Sequence, residues 1–219
     1  MQEDWSGAQD MTGRPLADRP ALRDRPQDPS RRTIRPVRPF DAQLHAAQKL
    51  CVPEALAAPL FPAAPFATYA ILDAAKVPNL PEMLETSGLP HRCLFTGEAF
   101  ETLGAVAPWV VALDPNSGFT RNLFSRSDAP WHLWDAAPGI FVVSQADLDG
   151  VWSHFRKFTR VRDEAGRWFY FRFWDPAIWD GILDGDAGFA ARLLGPHRVV
   201  FRSRATAEGA TFKTAGPAA

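Results

Sequence analysis

Cysteine is nearly absent from this chain. Cys51 and Cys93 are the only two in 219 residues, and neither has a second Cys or a His at metal-ligand spacing. A disulfide framework and a zinc site are therefore not expected, and two reduced cytoplasmic thiols are. Charge of one sign is not in excess either. A formal net charge of -1 argues against a general nucleic-acid binder, because sequence-independent affinity comes from many Lys/Arg–phosphate contacts. No G-x-S-x-G, phosphate loop or dinucleotide fingerprint occurs. His45, His91, His132, His154 and His197 form no ligand pairs, and Asp180, Asp184 and Asp186 lack calcium-loop spacing. No metal and no cofactor are expected. The first twenty residues hold no apolar h-region, so a secretory signal is not expected.

A membrane span is also not expected. Residues 51–72 carry a single charge, Glu54, and match a span in length. Pro53, Pro59, Pro62 and Pro65 would each remove a helix hydrogen bond and clash with the preceding turn. The stretch reads as a proline-bent lead-in packed against a domain.

What is present is apolar and aromatic residue, 46% and 12% of the chain, a globular composition. Residues 1–40 repeat Arg, Pro and Asp and bury too little to offset their ordering entropy, so a disordered arm is expected. A lead-in follows over 41–65, with a short helix over 41–50 capped by Asp41. The single domain spans 66–204, and a flexible tail spans 205–219.

Within the domain, strands are expected at 68–73, 91–95, 107–113, 139–143, 160–163, 167–174 and 197–204. Between them lie helices at 79–87, capped by Asn79 and stopped by Gly88, then at 98–103, 118–126 and 145–159. Two further helices start at Pro176, with Asp175 as cap, and at Asp186, running to Leu194. An aromatic-rich loop with Trp131 and Trp134 precedes the fourth strand. This alternation predicts an α/β fold with a mixed sheet and flanking helices.

The stretch 139–176 is the most informative. Ser144 followed by Asp147 makes a near capping box. Leu148, Val151, Trp152, Phe155 and Phe158 then fall on one side of a helix, with Asp149, Ser153, His154, Arg156 and Lys157 on the other. Gly166 marks a hairpin turn at positive φ. Beyond it Arg167, Phe169, Phe171 and Phe173 alternate with Trp168, Tyr170, Arg172 and Trp174. Both faces of that strand are aromatic, so both are expected to be covered. One face lies on the 145–159 helix; the other meets a second layer of the domain or a partner chain.

Residues 69–75 (YAILDAA), 107–113 (APWVVAL) and the run 139–176 ending FRFWDP resemble the type VI secretion effector chaperones, or adaptors. This is a domain-of-unknown-function family encoded between spike and toxin genes. The resemblance covers about residues 66–204. The further C-terminal lobe that many relatives carry has no counterpart in these 219 residues, and the Arg/Pro-rich arm departs from the family's usual start. The resemblance implies a cytoplasmic, non-catalytic protein, monomeric when free. It would bind the N-terminal region of a toxin effector and help load it on the C-terminal region of the valine-glycine-repeat (VgrG) spike. Tyr69, Asp73, Pro108, Gly166, Asp175 and Pro176 match the family's structural positions. Trp131, Trp134, Trp168, Tyr170, Arg172 and Trp174 are the candidate partner contacts. Asp73 and Asp175 read as turn caps, with Arg172 bridging buried carbonyls or an acid; direct client contact is the other reading. Two rivals remain open. A small hydrolase would need Asp73, His154 or Asp175 converging in one cleft with a nucleophile. A single-strand nucleic-acid binder would use the interleaved Arg and aromatic residues of 167–174.

Overall fold

A computed structural model describes residues 29–41, 50–162 and 165–217. In chain order it contains strands β1 (Ser30–Val37) and β2 (Phe40–Asp41), helix α1 (Glu54–Leu60), β3 (Ala67–Asp73), α2 (Leu80–Ser87), β4 (His91–Cys93), α3 (Glu98–Leu103) and β5 (Pro108–Ala112). There follow α4 (Gly118–Leu123), β6 (Ser125–Arg126), β7 (Gly139–Ser144), α5 (Leu148–Phe155), β8 (Arg160–Arg162) and β9 (Trp168–Tyr170). The chain closes with α6 (Trp179–Asp184), α7 (Ala187–Leu194), β10 (Arg198–Ala205) and β11 (Ala210–Gly216).

Seven strands form one sheet in the order β1-β11-β10-β7-β3-β5-β4. Every pairing within it is antiparallel, and the parallel bridge β2·β6 stands outside it. The expected α/β class holds, with the sheet antiparallel throughout rather than mixed. The central strands are buried on both faces, and their alternation sorts residues into two cores. Tyr69, Ile71, Val110, Ile140, Val142, Val199 and Phe201 point into a core shared with α5, α6 and α7. Ala70, Leu72, Val111, Phe141, Val200 and Phe212 point to the opposite face, into a core shared with α1, α2 and α4. The result is a three-layer helix–sheet–helix sandwich. Gly139 is required at one register point, because a Cβ there would run into the Ile71 carbonyl of the neighbouring strand.

Local signals explain most boundaries. Asp147, Asp175 and Asp186 each accept backbone N–H bonds at a helix start, and Gly88, at φ 67, ends α2. Two expected caps are corrected. Asn79 sits in the left-handed region and makes no side-chain cap. Ser144 does not cap α5: its Oγ accepts from Ala146 N and lies 2.9 Å from His197 Nδ1, so the helix begins at Leu148 rather than at residue 145.

Both ends of the domain need correction too. Residues 210–216, expected in a flexible tail, form β11 and pair on both sides, with β1 and β10. Residues 30–37, expected in the arm, form the edge strand β1. The cause is tertiary: Ile34, Val37, Ala210 and Phe212 find an apolar layer that their own composition does not advertise. The rest of the arm reading and the 42–49 part of the expected helix at 41–50 lie outside the described residues. The apolar run 51–72 resolves into the short α1 and β3. No helix among the described residues is long and apolar enough to cross a membrane.

Because β11 carries two ladders, truncation after Ala205 should cost the fold rather than trim it. The expected result is an insoluble chain, or a soluble one without a cooperative thermal transition by circular dichroism. A truncated chain that melts cooperatively near the full-length temperature would refute the strand's structural role.

Candidate protein-docking surface

The segment after β9 is fastened to the centre of the sheet by charge. Asp73, at the end of β3, is only 2% exposed at its side chain. One of its carboxylate oxygens accepts from Ala75 N, and the other accepts from the guanidinium of the half-exposed Arg172. Lys76 pairs with Asp175 at 3.1 Å beside it. Thus the YAILDAA and FRFWDP stretches, a hundred residues apart, are double-pinned. Asp73 is a turn acceptor and an ion-pair member at once. Pro108 lies opposite Asp73 on β5, and Tyr69 donates its hydroxyl to Ala146 O. Pro176 is buried in the turn that Asp175 caps.

Next to this clasp the chain forms its own two-stranded sheet, β8·β9, turned at Gly166 with φ 78. Here the expectation of two covered aromatic faces is corrected. β9 is three residues long, and Trp168, Phe169 and Tyr170 are 53%, 47% and 48% exposed. Only after the strand ends does the chain dive inward: Phe173 stacks on Phe155, and Trp174 packs edge-on to Phe95. The hairpin stands off the main sheet, so its rings have no second layer to enter.

The rings on β9 border a cleft of about 340 Å³ lined by Leu94, Phe95, Thr96 and Ala99 on one wall. Arg156, Lys157, Arg160, Trp168 and Tyr170 form the other. Trp152 sets the spacing of these walls from beneath, donating from its indole to Cys93 O at 2.7 Å. Arg92 and Arg156 both lie over the Trp152 ring, at 3.6 and 4.5 Å. Phe95 meets Tyr170 at a centroid distance of 5.1 Å, while Arg160 and Arg162 sit 4.9 and 4.8 Å above Trp168. Burial pushes the Cys93 thiol up to about 11, so that sulfur is a packing group rather than a nucleophile.

The six candidate contact residues do not share one surface. Trp168 and Tyr170 are exposed at the cleft, and Arg172 is half-exposed beneath it but occupied by Asp73. Trp174 is 3% exposed and belongs to the core on the hairpin side. Trp134 is 2% exposed and packs on Phe212 with Arg202 over its ring, on the opposite side of the sheet. Trp131 is exposed, but beside α2 and α4 on that same opposite side. Phe95, Thr96 and Arg160 line the cleft although sequence reasoning did not single them out. The signal that could have found the cationic wall is the charge run from Arg156 to Arg162.

The groups required by the hydrolase reading have separate engagements. Asp73 holds Arg172, Asp175 caps a turn, and His154 donates from Nε2 to Leu193 O with its ring 4.6 Å from that of His197. His197 and Ser144 are both 2% exposed, a polar seam between β10 and β7.

Two predictions arise from these contacts. Arg172→Ala strands a buried carboxylate and should cost about 2–3 kcal/mol, more than Asp73→Asn. The double variant should cost less than the sum, as urea titration of all three would reveal. The His197 imidazole is pushed down to about 4, by burial first and by the neighbouring His154 second. The folded chain therefore binds fewer protons than the unfolded chain between pH 4 and the ordinary imidazole value near 6.5. Stability should be flat above that value and fall as pH drops from 6.5 to 4, by on the order of 3 kcal/mol. His197→Asn should flatten this slope in denaturation at stepped pH.

No curated protein and no solved structure matches this chain. A family model does match, over residues 68–186, from β3 through α6 to the Asp186 cap of α7, just over half the chain. That span contains the Asp73–Arg172 clasp, the hairpin and the cleft, and on it the chain belongs to the family described as Domain of unknown function (DUF4123).

Proposed function

We propose that this protein is a type VI secretion effector chaperone-adaptor, docking a segment of a toxin and helping to mount it on the valine-glycine-repeat spike. Family membership supports the reading through the resemblance described above. The observation that carries it is the row Trp168, Phe169 and Tyr170, left about half exposed on a hairpin whose base is pinned to the core. Large rings in water are unfavourable, and a contiguous set of them marks an interaction surface. Trp, Tyr and Arg dominate binding energy at such surfaces because they bury much area at low entropy cost. The mechanism is capture. An apolar client segment lies in the cleft, stays soluble there, and is handed on when the spike is engaged. No bond is made or broken by the adaptor.

Co-expression with a candidate type VI toxin from the same genome, and with the spike's C-terminal fragment, tests this by size exclusion. A toxin–adaptor complex is expected, and separate elution of the two would sink the proposal. Trp168→Ala combined with Tyr170→Ala should weaken the complex by about thirtyfold or more. The melting temperature should change little, since both side chains are exposed.

A further inference from the structure

The cleft beside the hairpin carries a charge that the rest of the chain does not. Between residues 156 and 172 there are six cations and two acids, in a chain whose formal net charge is -1. Three of these cations, Arg156, Lys157 and Arg160, line the cleft itself. Among the described residues no carboxylate lies within ion-pair distance of any of the three. Two described acids of this region have other partners: Asp149 pairs with Arg92, and Asp73 with Arg172. Like charges gathered in one concave site raise the local potential, and an incoming anion lowers it.

The way the arginines are held adds chemical definition. Arg160 and Arg162 rest over the Trp168 ring, and Arg156 over Trp152. Stacking uses the flat face of a guanidinium and leaves its in-plane N–H groups pointing outward. Those groups form the fork that a carboxylate accepts in bidentate fashion. Arg156 uses one donor on Thr96 Oγ1, at 3.4 Å, across the cleft. A nucleobase stacking on Trp168 or Tyr170 would compete with groups already on those rings. Trp168 carries two guanidiniums, and Tyr170 lies against Phe95. Base stacking requires an open π-face.

We infer that the cleft takes an acidic polypeptide segment, its carboxylates on Arg156, Lys157 and Arg160 and its apolar side chains against Trp168 and Tyr170. This rests on reading the hairpin cleft as a protein-docking surface. It goes further in assigning the chemistry of the occupant. Charge complementarity supplies register and rate, and the rings supply area.

The test uses the full chain and three fluorescein-labelled probes read by anisotropy. They are a 12-residue peptide alternating Glu and Leu, its Gln-for-Glu counterpart, and a 12-nucleotide oligothymidylate. The Glu peptide should bind at least tenfold more tightly than the Gln peptide, and at least tenfold more weakly in 500 mM than in 50 mM NaCl. Arg156→Glu with Arg160→Glu should abolish that preference. Lys157→Glu, at an exposed position, is the second variant should the double one fail to fold. Equal binding of both peptides, or preference for oligothymidylate, overturns the inference. The toxin complex separates this inference from the reading beneath it. A complex that forms but ignores salt and charge reversal overturns the acidic segment and leaves docking in place. Binding of the Glu peptide without any toxin complex supports the acidic occupant and overturns the chaperone role.

Discussion

The Asp73–Arg172 pair is the contact on which the exposed hairpin depends. Asp73 ends the central strand β3, whose residues from Thr68 onward are buried, so the carboxylate has no route to water. A buried carboxylate is tolerable only with its oxygens occupied, and here they hold Ala75 N and the Arg172 guanidinium. The strand end cannot move without breaking the sheet, so Arg172 cannot move either. Four residues earlier the chain is β9. A mobile hairpin would collapse its rings onto the nearest apolar surface; a hairpin pinned at Arg172 and at the Lys76–Asp175 pair keeps them outward.

Pinning one side would not define a cleft without control of the other wall. That control comes from α5. Its inner face, Val151, Trp152 and Phe155, is core, and its C-terminal continuation supplies Arg156 and Lys157 to the cleft. The Trp152 indole then reaches Cys93 O, at the end of β4, where the opposite wall begins. One buried ring thus sets the distance between the cationic wall and the Phe95–Thr96 wall. The arrangement makes the cleft rigid in width while its lining remains solvated, which lowers the ordering cost of binding.

Much of this frame was legible in the residues. α3 lies at 98–103 as read. α2 ends at Gly88 and α7 lies between Asp186 and Gly195, because capping and stop chemistry is local. β11 was not legible. Residues 210–216, ATFKTAG, contain one large apolar side chain, Phe212, and owe their strand to ladders on both sides. Exposure was not legible either. The alternation after Gly166 revealed rings on both faces of a strand but not that the strand would stop at Tyr170 and leave them uncovered. The same alternation placed Trp174 with Trp168, although the turn after Tyr170 sends Trp174 into the core. Candidate contacts chosen by residue type therefore split between cleft, core and opposite face.

The seam at the start of α5 belongs to the same logic. Tyr69 holds Ala146 O, Ser144 holds Ala146 N, and His197 lies 2.9 Å from the Ser144 hydroxyl. These bonds tie the helix entrance to β3, β7 and β10, three adjacent strands of the sheet. At the far end His154 reaches Leu193 O on α7. The helix is thus held at both ends, and Arg156 and Lys157, one and two residues past its end, inherit that fixity. Burial keeps the seam's imidazoles neutral, so acid acts on it from inside the core. Protonating His197 would place a charge beside a second imidazole and away from any carboxylate acceptor named in the seam. The imidazole seam and the cationic wall are thus attached to the same helix, α5.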